Sequence, residues 1–128
     1  MIRSMNARRL LPLLFGLGAA GCTSLAERYE AGNRALSAGD GAMYFVVISP
    51  ILMRVLNTCI PRGTPGASPM LVLVADVDAD GHARNLDVEP DSPGTDCVQR
   101  QLTEKPLPKP PLAAGASTFP IGLRIDTK

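Results

Sequence analysis

The stretch PMLVLVADVDADGHARNLD, residues 69 to 87, decides the fold of this chain. Its first half is rich in Val and Leu, which favour strands, and its second half alternates more weakly and is more polar. Between the halves, Asp80-Gly81 supplies the positive φ that a tight hairpin turn requires. We therefore expect a β-hairpin with strands at about 70–77 and 82–89, ended by Pro90.

The same stretch has a second interpretation as a calcium loop, because acids at alternate positions before a Gly supply the oxygen ligands that calcium prefers. The candidate ligands are Asp76, Asp78, Asp80 and Asp87. Against this, the last position prefers Glu, Arg84 stands at a ligating position, and the preceding residues are typical of a strand. Alternation along a strand also places the first three acids on one solvent face, so we favour the hairpin.

No residue pattern in the chain predicts catalysis or a cofactor. The acids cluster on one hairpin, with neither a base nor a nucleophile beside them in sequence. The single histidine, His82, has no second His and no free Cys to form a zinc site, which predicts an exposed turn residue. We therefore expect a protein that is not an enzyme and that holds no metal.

Composition predicts one small domain with a marginal core. The chain has 128 residues with no Trp, two Tyr and three Phe, so the core must consist of aliphatic side chains. Three of the thirteen basic residues lie in the first nine positions, and the remaining ten face twelve acids. No basic face is left to neutralise phosphates, which argues against nucleic-acid binding.

The first 21 residues are typical of a secretory signal peptide. MIRSMNARR carries three positive charges, and the apolar run LLPLLFGLGAAG that follows is too short to span a bilayer. The run ends at Ala19-Ala20-Gly21-Cys22, which resembles a bacterial lipobox, although such signals usually carry Leu where Ala19 stands. The alternatives are ordinary cleavage after Ala20 or Ala26, or a retained core segment.

The lipobox resemblance implies that Cys22 receives a diacylglycerol thioether and, after cleavage, an acylated amine. Two or more acyl chains anchor a protein stably, whereas one holds it only marginally. Because Thr23 rather than Asp follows the Cys, the resemblance implies the outer membrane, with the protein facing the periplasm.

Two helices are expected before the hairpin. Residues 22–41 form a lipid-anchored tether whose amphipathic helix begins after Ser24. A second helix is expected from Pro50 to Cys59 with Ser49 as its N-cap, since Pro is favourable at the first helical position. Residues 43–48 form either the preceding helical turn or a short extended segment. The second helix directs one apolar face to the core: Ile51, Leu52, Val55, Leu56 and Cys59.

After the hairpin we expect a helix from Cys97 to about Glu104, capped by Thr95 or Asp96. The run KPLPKPP, residues 105–111, must be extended because Pro lacks the N–H that a helix or ladder needs. A last strand then directs alternate side chains to the core: Phe119, Ile121, Leu123 and Ile125.

The cysteines predict a disulfide. If Cys22 is lipidated, Cys59 and Cys97 remain as an even pair in an oxidising compartment. A bridge would close a loop of about 38 residues and stabilise the domain by roughly 4 kcal/mol on the chain-entropy estimate. The alternative is a pair of buried free thiols, and the absence of a CxxC motif argues against a redox role.

Residues 45 to 126 resemble the C-terminal domain of TonB-type energy transducers. The resemblance rests on the VLVADVDADG…LDV hairpin, the helix that a Cys opens, the LPKPP connector and the final alternating strand. It implies an α+β fold over residues 42–128, with two helices packed on a three-stranded antiparallel sheet in the order helix, β-hairpin, helix, strand. It also implies capture of an extended partner peptide at a sheet edge.

The chain departs from the transducers because it has neither an uncleaved membrane helix nor a long Pro-rich spacer. We therefore expect an envelope lipoprotein that binds or assembles with an envelope protein, without energy transduction. The alternatives are a pilotin-like chaperone for a secretion pore and a calcium-stabilised structural module. The sequence leaves open the partner, the oligomeric state and which sheet edge is free.

Overall fold

The structure, a computed structural model, describes residues 23–127, so the predicted signal peptide and Cys22 lie outside the described residues. A three-stranded antiparallel sheet of order β2-β1-β3 packs with three helices, which confirms the predicted α+β fold. In chain order the elements are α1 Leu25–Ala35, α2 Gly39–Cys59, β1 Met70–Asp78, β2 Ala83–Glu89, α3 Pro93–Glu104 and β3 Thr118–Asp126.

The hairpin that the sequence predicts forms the centre of the sheet. Gly81 adopts a φ of 94° in the turn, and its N–H donates to the Asp78 carbonyl over 2.9 Å. Only Gly takes such a φ without steric cost, so the Asp80-Gly81 prediction is confirmed. The side chains of β1 point alternately to the two faces of the sheet, and those on one face are all buried: Leu71, Leu73, Ala75 and Val77.

Helix α2 covers that face of the sheet. Its buried row joins the core cluster: Tyr44, Ile48, Leu52 and Leu56. Full burial of one such aliphatic side chain contributes about 2 kcal/mol. By length and composition α2 could cross a membrane, with a mean hydropathy of 1.5, and 22% of its apolar window is buried inside the domain.

The predicted start of α2 at Pro50, with Ser49 as N-cap, is wrong. The helix begins at Gly39, and the Ser49 hydroxyl donates to the Phe45 carbonyl over 2.6 Å instead of capping an end. Pro50 removes only the helical bond to the Val46 carbonyl, and burial of Tyr44 and Ile48 upstream offsets that loss.

The helix predicted as a tether is present as α1, and it packs against the opposite face of the sheet. Ser24 caps it by accepting from the Glu27 N–H. A Cβ on Gly122 of β3 would lie 2.4 Å from the Tyr29 carbonyl oxygen, so strand and helix backbones touch there. The domain therefore has three layers, α1, the sheet, and α2 with α3.

Helix α3 begins at Pro93 with Ser92 as its N-cap, and the predicted cap at Thr95 or Asp96 is wrong. Ser92 and Thr95 form a reciprocal capping box, and the Pro in between occupies the first helical turn, where it loses no bond. The predicted disulfide is confirmed, because Cys59 at the end of α2 is bonded to Cys97 with a Cα–Cα distance of 5.5 Å.

The Pro-rich connector after α3 is extended, as predicted, and two contacts hold it against the domain. The Leu107 N–H donates to the Gly81 carbonyl over 2.8 Å, and the Tyr44 hydroxyl donates to the Pro108 carbonyl over 2.7 Å. Burial raises the pKa of Tyr44 to about 12, so this hydroxyl keeps its proton as a donor. The following strand directs its predicted alternate residues to the core: Phe119, Ile121, Leu123 and Ile125.

Candidate functional site

The two edge strands, β2 and β3, are the places where this sheet can accept another strand, since an edge presents unpaired N–H and C=O groups. The two edges differ in how many of their outward backbone groups already have hydrogen-bond partners.

The β2 edge is interrupted by a bulge. The register moves from Val74 opposite Asp87 to Asp76 opposite Arg84, so β2 carries an extra residue at that point. Asn85 lies in the bulge with a φ of 51°, a conformation that Asn tolerates better than most residues. A bulge twists a strand and disrupts its ladder, which makes an edge a poor template for pairing.

Side chains also occupy the β2 carbonyls at the bulge. The Arg28 guanidinium of α1 donates to the Asn85 carbonyl over 2.5 Å, and the Gln99 amide of α3 donates to the Leu86 carbonyl over 3.0 Å. Side chains from helices on both faces of the sheet thus donate hydrogen bonds to two adjacent carbonyls of β2. Together with the bulge, they block the β2 edge.

The β3 edge is regular over its nine residues, because its register against β1 runs without a shift from Met70 opposite Asp126 to Asp78 opposite Thr118. The Thr127 N–H donates to the Pro69 carbonyl, which fixes the phase of the ladder. The odd-numbered residues bond to β1, and the even-numbered ones direct their peptide groups outward.

Proline on the outer row agrees with this phase. Pro120 has no N–H to donate, and strands tolerate Pro where that side faces away from the ladder. Beyond it, Gly122 is buried under α1 while Arg124 is exposed, with its guanidinium 4.8 Å from the centre of the Tyr29 ring. In the described part of the chain no strand lies outside β3, and its outer row is accessible from Arg124 onward.

The sequence-predicted acids are only partly brought together. Asp78 and Asp80 lie with His82 in a group whose ligand atoms are within 4.8 Å of one another, whereas Asp76 and Asp87 lie along the strands opposite other partners. His82 is exposed beside the turn, in agreement with its predicted place.

The Asp78 carboxylate fastens the hairpin turn. One of its oxygens accepts from the backbone N–H groups of Asp80 and His82, and the other accepts from the Arg84 guanidinium over 3.1 Å. Burial alone would raise the pKa of this carboxyl, but these hydrogen bonds outweigh burial and hold the pKa below its ordinary value. Both oxygens therefore already have protein partners.

A groove of about 560 Å³ lies between α1 and the sheet, beside the bulge. Two of its charged side chains already bind a neighbour: Arg28 donates to the Asn85 carbonyl, and Asp76 accepts from the Asn85 amide over 3.0 Å. The Arg28 bond therefore links α1 to β2 across the groove.

Sequence reasoning missed the occupants of the β2 edge, although one signal was present. Asn85 within a strand of alternating pattern is typical of a bulge or turn, because Asn favours positive φ. The donors Arg28 and Gln99 are 57 and 13 residues away from their acceptors, and no local pattern predicts such pairs. Comparison with protein families, with curated proteins and with solved structures finds no significant match to this chain.

Proposed function

We propose that this protein is a lipoprotein of the bacterial envelope that binds an extended segment of another envelope protein by strand addition at the β3 edge. The bound segment would pair with the outer row of β3 and extend the sheet to four strands. Main-chain hydrogen bonds would supply much of the affinity, and side-chain contacts would supply selectivity. The protein would be anchored through Cys22 in the outer membrane and would face the periplasm.

The contrast between the two edges supports this proposal. The bulge and the bonds from Arg28 and Gln99 occupy β2, whereas β3 keeps a regular ladder whose outer row is accessible from Arg124 onward. Edge strands are commonly protected against pairing, and here the protection is concentrated on one of the two. No chemical step is part of the proposed activity, since binding would use backbone groups.

The test replaces Arg124 with Pro in the tagged full chain, expressed in its own envelope. The Arg124 N–H points outward, so Arg124→Pro removes a donor of the outer row without removing a bond to β1. Arg124→Ala is the matched control, because it also loses the Tyr29 contact but keeps the N–H. We expect proteins that co-purify with wild type and Arg124→Ala from solubilised membranes to be lost with Arg124→Pro.

Equal recovery with both variants would rule out pairing at this edge. A separate measurement tests the anchor: Cys22→Ser should abolish metabolic labelling by fatty acid and should release the protein from the membrane fraction. Loss of the anchor with retained binding in solution would separate the two parts of the proposal.

A further inference from the structure

Helix α2 carries an apolar row on the side that faces away from the sheet. Its exposed members recur every three or four residues and form what we call the outer stripe: Met43, Val46, Val47, Pro50 and Met53. The exposed fractions are 67% for Met43, 64% for Val46 and 51% for both Val47 and Met53. Phe45 borders the stripe and is 40% exposed.

The outer stripe is large for a protein of this size. Its side chains together expose on the order of 500 Å², which equals the largest apolar patch on a typical monomer, and such patches often mark an interaction site. Isolated exposed apolar residues need no explanation, but a contiguous helical row does. These side chains lie outside the core cluster, because the buried row of α2 faces the opposite way.

Opposite charges end the outer stripe at equal distances from its middle. Asp40 precedes Val47 by seven residues and Arg54 follows it by seven, which is close to two helical turns on each side. The three residues are therefore nearly in line along the helix. Both charged side chains are exposed, and neither forms an ion pair within residues 23–127.

We infer that the outer stripe is the contact surface between two copies of this chain, packed with their α2 helices antiparallel about a twofold axis at Val47. The twofold axis brings Asp40 of each copy level with Arg54 of the other, so two ion pairs flank the apolar contact. The same patch then serves both copies, as a closed twofold dimer requires. The apolar area covers most of the roughly 800 Å² per partner of a standard interface, and the flanking polar residues supply the rest.

A bilayer surface fits the outer stripe less well than a second copy does. Pro50 has no N–H, so the Val46 carbonyl loses its helical donor within the stripe, and hydrocarbon offers no substitute. Water trapped at a protein interface can supply one. Thr23 lines the groove beside α1, on the other face of the sheet from the outer stripe.

The first test is proximity between copies. Full-length Val47→Cys protein, in its native membranes, is treated with a short bis-maleimide and run on a reducing gel. We expect a species of twice the mass that is at least tenfold more abundant than in wild type. Wild type serves as the background control, because any cross-link in it comes from the natural cysteines. Ala79→Cys, exposed in the hairpin turn, is the matched control and should give no such increase.

The second test is charge exchange. Asp40→Arg and Arg54→Asp each place like charges opposite one another, and each should raise the dissociation constant of the purified full chain about tenfold in sedimentation equilibrium. The double variant Asp40→Arg/Arg54→Asp restores opposite charges across the axis and should return the dissociation constant to within about twofold of wild type. Both positions are exposed, so the far-UV circular dichroism of the folded chain should be unchanged.

Two outcomes would overturn the dimer: cross-linking of Val47→Cys no stronger than that of Ala79→Cys, or a double variant as weak as the single ones. Protection of Val47→Cys from a water-soluble maleimide without any cross-link would place the stripe on the membrane and would also overturn it. The dimer contact uses α2, whereas strand addition uses β3, so Arg124→Pro should leave the dimer intact and Asp40→Arg should leave strand addition intact.

Discussion

The β2 side and the β3 side of the sheet are held by different means. On the β2 side, a disulfide fixes α3 to α2. Helix α3 in turn packs on β2, and its Gln99 side chain donates a hydrogen bond to the Leu86 carbonyl. On the β3 side, regular pairing with β1 and the close backbone contact with α1 hold the strand. One edge is thus closed by side chains at a bulge, while the other keeps the regular pairing register that a further strand needs.

Loss of the disulfide should have the largest effect and should break the β2 side first. Replacing Cys59 and Cys97 together by Ala removes a link across 38 residues, which the chain-entropy estimate values at about 4 kcal/mol. Because Gln99 lies two residues after Cys97, amide hydrogen exchange should rise more in β2 than in β3. Urea unfolding at equilibrium measures the total loss.

Reduced wild type is the control and should match the double variant in both measurements. Equal gains of exchange in β2 and β3 would contradict the assignment of the disulfide to one side of the sheet.

Gly122→Ala should break the β3 side, with a loss of about 3 kcal/mol. The new Cβ would lie 2.4 Å from the Tyr29 carbonyl oxygen and 2.9 Å from its Cα, so either helix α1 or strand β3 must move. Thermal and urea unfolding give the loss, and exchange should rise in α1.

Gly115→Ala is the matched control, because its Cβ would meet no atom within 4 Å although its φ is 80°. That variant carries only the backbone cost of positive φ, about 1 kcal/mol. Losses of equal size in the two variants would contradict a contact between α1 and β3.

Sequence reasoning predicted well wherever a local pattern carries the structure. The alternation of β1 and β3 and the Asp80-Gly81 turn depend on spacing and residue type, and the pairing of Cys59 with Cys97 follows once Cys22 is assigned to the lipid. The caps were less predictable. Proline is compatible both with the start of a helix and, at the loss of one bond, with its interior, and only packing of the upstream residues decides between them.

The same limit applies to the candidate site. That the fold has two sheet edges follows from the predicted three strands, but the difference between them depends on contacts distant in sequence. Gly32 and Gly122 allow α1 to lie directly on β3, and from there Arg28 reaches Asn85. No periodicity in α1 distinguishes a helix that packs on the sheet from a tether, since both are amphipathic.

Gln99→Ala should make the β2 edge more open to strand pairing, as the β3 edge is, with a small loss of stability. The Leu86 carbonyl would lose a half-buried donor, which lowers the free energy of unfolding by about 1 kcal/mol. Hydrogen exchange and susceptibility to self-association at high concentration should both rise through the newly exposed edge. Gln101→Ala is the matched control on the same helix, because the Gln101 side chain makes no hydrogen bond within the described residues. An identical response to both variants would show that Gln99 does not protect the edge.

Acid should weaken the turn that joins the two sides, and this is the smallest effect. Because hydrogen bonds hold the pKa of Asp78 below its ordinary value of 3.8, the folded protein binds this proton less readily than the unfolded chain does. The stabilisation is therefore complete above 3.8 and is lost as the pH falls through the lowered folded value. Asp78→Asn should lower the melting temperature at pH 7, and the gap to wild type should narrow as the pH is reduced below 4. Asp80→Asn changes a neighbouring exposed acid whose side chain forms no bond in the described residues, so it should follow wild type across the range. A gap for Asp78→Asn that stays constant as the pH falls would assign its effect to side-chain shape instead of charge.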